Sequence, residues 1–421
     1  PDTVKNSRGI AVNRNNLTHI TDWWASIDEL VACCPNLETV ALVVAWFGTD
    51  LRAGQCIIEP RVVSNDTSQP GWSVAGLSRS TASPVSQYEG KAAYGGTPSD
   101  ASVVAAIGDL KSRGLKVVLY PFVMMDIAED NELPSPYGGS SQPAYPWRGQ
   151  ITCEIAPGLE GTQDQTAAAA TQIADFCGTA ASGDFGISGS AVTYSGPTGW
   201  RYRRMILHYA MLAQAAGGVD GFLIGSELRG LTQLRDDTDA FPFVDQLCTI
   251  AADVRSIAGP ETKITYGADW SEYFGYQPGD GSGDRYFHLD PLWAHEDIDA
   301  VGIDNYMPLA DWRIGGDPGA TGFHSQFDPA YLDAKIEGGE GFDWYYADAQ
   351  DRLDGVRTPI TDDLDEPWIW RFKDIRSWWE NAHHERVDGV RDTEPTAWVP
   401  RSKPVWFTEL GCGAITRGAN E

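Results

Sequence analysis

Short runs of β-branched and other apolar residues recur along the chain, all but one closing on a polar or aromatic side chain. They are 38–46 (ETVALVVAW), 116–123 (KVVLYPFV), 218–227 (GVDGFLIGSE), 263–270 (KITYGADW), 299–306 (DAVGIDNY) and 403–409 (KPVWFTE). Apolar runs of this length, continuous instead of alternating, fit strands buried on both faces, which is the signature of a parallel sheet. Between them, 20–33, 99–113, 198–216, 239–258 and 368–384 carry helical spacing. In the third of these, Met205, Leu207, Tyr209, Leu212 and Ala216 form a broad stripe before Gly217 and Gly218 stop it. Strands alternating with helices over most of the chain predict an α/β domain with six parallel strands.

Two architectures satisfy that alternation. A doubly wound sheet calls for a glycine-rich phosphate loop after its first strand, and WFGTD at 46–50 supplies neither G-x-G-x-x-G nor G-K-[ST]. The (β/α)8 TIM-barrel-like fold is therefore preferred, with residues 1–421 read as one domain. Two long insertions, about 48–98 and 309–366, are expected as loops over the catalytic face, where a barrel assembles its chemistry, or as a small lateral subdomain. The twelve residues after Glu409 are too few for a final helix, strand and helix, so the barrel is expected either to be incomplete at its C-terminal end or to close unconventionally.

Side chains alternate sides along a strand, so residues two apart share a face. Thr265, Gly267 and Asp269 fall on one face; Ala300, Gly302, Asp304 and Tyr306 on another; Gly221, Leu223, Gly225 and Glu227 on a third; and Val405, Phe407 and Glu409 on a fourth. If the bulky aliphatics face the helices, Glu227, Asp269, Asp304, Tyr306 and Glu409 converge at the carboxyl ends of their strands. Several carboxylates there suit chemistry that uses one as acid and another as nucleophile or base, with glycoside hydrolysis the leading case. Trp46 and Trp270 are sugar platforms or rim packing; Asn305 completes the candidate substrate-binding set.

Composition sharpens this by exclusion. With 31 basic and 59 acidic side chains the net charge is −28, which argues against nucleic-acid and membrane-surface partners. The longest apolar run, 40–47, is far short of the roughly 20 residues of a membrane helix. Seven cysteines without C-x-x-C are expected as free thiols, with Cys153 and Cys177 the one pairing left open. The histidines offer no ligand spacing, so no metal or cofactor is expected. Sixteen tryptophans exceed ordinary packing needs and suit a surface that stacks on a ligand.

Counting the strand that ends at Glu227 as the fourth, as the family pattern requires, makes the one that ends at Glu409 the seventh. A Glu at each place resembles the large clan of retaining (β/α)8 glycosidases, in which the first is acid/base and the second nucleophile. There a Tyr after the sixth strand often contacts the nucleophile, a feature Tyr306 matches; an Asn usually precedes the acid/base, where this chain has Ser226. A closer resemblance runs through PNLETVALVVAWFGTDLR (35–52), GGVDGFLIGSELRGLTQLR (217–235), KITYGADWSEYFGY (263–276), HLDPLWAHEDIDAVGIDNYMPLADWR (288–313), EGGEGFDWYYA (337–347) and PTAWVPRSKPVWFTELGCGA (395–414). These strings resemble the TIM-barrel-like glycosidase domain of gene transfer agent and phage tail proteins.

That resemblance implies a retaining glycosidase acting on peptidoglycan or surface polysaccharide, with Glu227 as acid/base and Glu409 as nucleophile. Other tail or baseplate proteins would be its partners through a longer chain. With no signal segment at the start of the sequence, synthesis in the bacterial cytoplasm and assembly into a phage-like tail are expected. The rival expectation is a glycan-binding or architectural tail barrel without catalysis, and Ser226 is the residue that favours it.

Overall fold

The strands form where the apolar runs predict them: β1 Thr39–Gly48, β2 Lys116–Met125, β3 Gly221–Ser226, β4 Lys263–Asp269, β5 Val301–Asn305 and β6 Val405–Leu410. The computed structural model describes residues 3–189, 191–317 and 322–420; positions 318–321 of the second insertion lie outside them. The chain divides into two compact units, 1–266 with 295–299, and 267–294 with 300–421. The division falls inside β4, whose first four residues count with the first unit and last three with the second.

In the first unit the strand order is β4-β3-β2-β1. β1 and β2 pair in parallel over their full length, from Thr39 opposite Lys116 to Gly48 opposite Met125. β3 joins β2 in parallel through Gly221 opposite Val118. The helices are α1 Asp22–Cys33, α2 Asp100–Ser112, α3 Ala167–Cys177, α4 Tyr202–Ala215 and α5 Pro242–Ala258. Side-chain oxygens cap three of them, Thr21 for α1, Ser99 for α2 and Thr166 for α3. Every residue of α4 from Tyr202 to Ala213 is buried, not only the predicted stripe.

Several polar residues tolerate that burial because they are matched, although the Tyr209 hydroxyl and Arg204 Nε are buried without a hydrogen bond. His208 Nε2 lies 2.9 Å from Asp100 Oδ1, and Arg203 donates to the Asp253 carboxylate and to the Ala180 carbonyl. The guanidinium of Arg204 lies 3.5 Å from the Trp200 ring centroid and 4.2 Å from that of Tyr194. A hairpin that the pattern does not predict, Phe185–Ser188 with Ala191–Tyr194, packs on α4 and covers its outer face.

In the second unit the order is β4-β5-β6, all parallel. Of the stretch 368–384, expected as one helix, only α6 Ile375–Glu380 is α-helical, and a 3-10 turn occupies Pro367–Trp370. The cause is local: Arg371 is extended and Asp374 caps a fresh start by accepting from Ser377 N. His383, past the helix end and wholly buried, stacks on Phe287 at 4.3 Å and on Trp398 at 5.6 Å. Its Nδ1 lies 2.8 Å from Asp290 Oδ2 and its Nε2 lies 2.8 Å from the Trp378 carbonyl.

The two insertions differ in how they are held. In 48–98, short hairpins (Ser73–Val74 with Leu77–Ser78, and Gln87–Tyr88 with Lys91–Ala92) are tied in by the ion pair of Arg61 with Asp126 at 2.7 Å. The second is built around buried charge: Arg357 bridges Asp311 and Asp317, at 2.5 and 2.7 Å, over the Trp344 ring. All seven cysteines are free, Cys153 and Cys177 included.

Candidate active site

Glu227 follows the last residue of β3, and the backbone there is not strand-like. Gly225 has φ +154°, and a Cβ at that position would stand 1.9 Å from the Tyr202 hydroxyl, which donates to the Ile224 carbonyl at 2.6 Å. Only glycine admits this approach. Two residues on, Glu227 is left-handed with φ +52°, a conformation a glutamate adopts only where its surroundings enforce it. Alternation along β3 therefore ends before Glu227, and the turn, not the pleat, aims its carboxyl.

The surroundings come from a loop. Trp147 Nε1 donates to Glu227 Oε2 at 2.6 Å, and Arg148 NH2 lies 2.9 Å from the same oxygen. Arg148 also spans Ser226, from Nε to its carbonyl at 2.9 Å and from NH2 to its hydroxyl at 2.6 Å, with the guanidinium 4.2 Å from the centroid of Phe122 on β2. Glycines allow the loop to sit this close: a Cβ on Gly230 would meet the Ile151 carbonyl at 2.4 Å, and one on Gly149 would enter the Trp147 ring. Neither Trp147 nor Arg148 emerges from the strand pattern, because both lie in a connection between β2 and α3; the string YPWRGQ at 145–150 is their only signal.

The second unit carries a row of carboxylates. Asp269 on β4, Asp304 on β5 and Glu409 on β6 stand side by side across three adjacent strands. The register between β5 and β6 slips here. Ile303 faces Phe407, yet Asp304 faces Glu409, so Thr408 is an extra residue on β6. Without that bulge Glu409 would share the face of Phe407 and Ile303; with it, Glu409 joins Asp304. Strict alternation on β6 is thus corrected by one residue, although the face shared with Asp304 is the expected one.

The individual contacts are as follows. The Tyr306 hydroxyl, on an exposed side chain, donates to Glu409 Oε2 at 2.6 Å. Asp304 is wholly buried and accepts from the Thr408 hydroxyl at 2.6 Å. Asn305 turns its Oδ1 to Met307 N at 3.1 Å. Asp269 is buried and accepts from the backbone and hydroxyl of Ser271. Trp270, half-buried, meets Phe372 edge to face at 4.7 Å.

Trp46 does not serve as a sugar platform. It is fully buried in the first unit among Trp200, His208 and Tyr209, with centroid distances of 5.4 to 6.1 Å. β1 runs two residues beyond it, and its side of the strand faces α4.

The family model described as the GTA TIM-barrel-like domain matches residues 200–421, more than half of the chain. The chain belongs to that family. A search of curated proteins finds no relative of this GTA TIM-barrel-like domain. Solved structures similar to it include a GH113 β-1,4-mannanase, 15% identical, with 69% of this chain and 59% of that one covered and a TM-score of 0.36. A GH113 β-mannanase from Alicyclobacillus acidocaldarius in complex with ManMIm is 16% identical, with 70% and 58% covered and a TM-score of 0.34. The GTA TIM-barrel-like domain thus spans under two thirds of the length of these structures.

Proposed function

We propose that this domain is a retaining glycoside hydrolase acting on a bacterial cell-envelope glycan, peptidoglycan or surface polysaccharide, as part of a phage-like tail. Glu409 attacks the anomeric carbon while Glu227 passes a proton to the departing glycosidic oxygen. Glu227 then takes a proton from water, and that water displaces Glu409 from the sugar. Tyr306 and Trp270 contact the sugar, and Asp269, Asp304 and Asn305 orient the groups around it. Assembly into the tail, after synthesis in the cytoplasm, and contact with other tail proteins belong to the same proposal.

The observation that carries this reading is the 2.6 Å hydrogen bond from the Tyr306 hydroxyl to Glu409. A phenol on one oxygen of a carboxylate fixes its orientation and leaves the other oxygen to attack, as a nucleophile requires. Incubating the domain with purified sacculi and surface polysaccharide, while following reducing ends and the anomer first released, tests it. Retained configuration is expected from the wild type, with no product from Glu409→Gln. Undiminished product from Glu409→Gln sinks the assignment.

A second reading, a glycan-binding or architectural barrel without catalysis, has one observation in its favour. One oxygen of Glu227 is already occupied by Trp147 and Arg148, at 2.6 and 2.9 Å, contacts that suit a binding or structural residue. Glycan binding without cleavage in the wild type and in Glu227→Gln would support it.

A further inference from the structure

Trp147 combines two properties that seldom coincide. Its indole N–H is committed to Glu227 at 2.6 Å, so the ring cannot rotate without breaking a charge-assisted bond. The residue nevertheless keeps 37% of its surface exposed. A tryptophan in place only for packing would bury its rings, as Trp46, Trp293 and Trp378 do. Here the polar edge is turned inward and apolar surface is left out.

The loop enforces that arrangement. The six-membered ring of Trp147 lies over Gly149, where a Cβ would stand 2.4 to 2.5 Å from three of its carbons. Gln150 N donates back to the Trp147 carbonyl at 3.0 Å, and Tyr137 donates to the Gln150 carbonyl at 2.9 Å. The ring is thus immobilised before any ligand arrives, which removes most of the ordering cost of binding to it. At its edge lie a carboxylate acceptor, Glu227, and a guanidinium donor, Arg148. A flat apolar face bordered by an acceptor and a donor matches a pyranose ring, whose C–H face stacks on an aromatic while its rim of hydroxyls bonds sideways.

We propose that Trp147 is a carbohydrate-stacking residue that seats one pyranose ring of the glycan beside the carboxyl of Glu227. This rests on the glycan-site reading given above for Glu227, and it identifies a platform on a loop where the strand pattern pointed to Trp46.

The test uses the whole domain labelled with 15N at its indoles. The Trp147 resonance is identified by its loss in Trp147→Phe, and chitohexaose, mannohexaose and soluble muropeptides are titrated in turn. The resonance is expected to move saturably with at least one glycan. Trp147→Ala should weaken that glycan about tenfold, and Trp147→Phe, which keeps a flat ring without the N–H, no more than about threefold.

A resonance that stays still with all three glycans overturns the proposal, as does undiminished binding to Trp147→Ala. The two readings fail separately. Saturable movement without release of reducing ends keeps the stacking role and removes the catalytic one, whereas release of reducing ends with a stationary resonance does the reverse.

Discussion

Thr408 and Asp304 are joined by a 2.6 Å hydrogen bond, and Thr408 is also the extra residue that puts Glu409 opposite Asp304. The bond therefore ties the bulge to the strand beside it. Thr408→Val keeps the shape and removes one donor from a wholly buried carboxylate. A loss of about 1–3 kcal/mol in urea unfolding is expected. If the bulge then relaxes, Glu409 loses its place beside Asp304, and any glycosidase activity should fall further than stability alone explains.

Glu385 supplies a pH dependence. Burial, with Asp290 and Asp392 nearby, pushes its carboxyl from an ordinary 4.5 up to about 7. The folded protein thus holds this proton more tightly than the unfolded chain does. Its contribution is fully present below about pH 4.5, declines as pH rises, and is gone above about 7. Glu385→Gln cannot lose a proton, so it should match the wild type at pH 4 and exceed it by about 1–3 kcal/mol at pH 8. Chemical denaturation at the two pH values checks this; an equal difference at both would show that the carboxyl does not titrate in that range.

The turn before Glu227 should tolerate no side chain at Gly225. With Tyr202 Oη 1.9 Å from the position of a Cβ, Gly225→Ala is expected to cost about 3 kcal/mol or more. Combining it with Tyr202→Phe removes the clashing oxygen and should recover part of that loss. A double-mutant cycle of thermal unfolding measures the recovery as a coupling energy. Strictly additive losses would mean that the strain lies in the backbone at φ +154° instead.

The six strands were legible because parallel strands buried on both faces leave runs such as ALVVAW and GFLIG, which few other structures produce. Their ends were less so. Alternation assumes one residue per pleat, and it fails at Thr408 and at the glycine turn before Glu227, where tertiary contacts decide the geometry. Helix α3 (AAAATQIADFC) carries no clear period, because its alanine-rich start shows little contrast between faces. Of the two roles open to Trp46, packing holds, because β1 continues to Gly48 and the residue at the end of the apolar run lies inside the strand. Trp147 and Arg148 were illegible for a different reason: loop residues carry no period, and only the fold reveals that they meet Glu227.

The left-handed backbone at Glu227 makes that position vulnerable to selection for robustness. Glycine or asparagine would relieve about 1 kcal/mol or more of backbone cost there, while abandoning the carboxylate. A library of this domain sorted only for heat resistance or soluble yield should drift toward those residues at 227. In lineages where the glutamate persists, it does so against a standing pull toward a more comfortable residue.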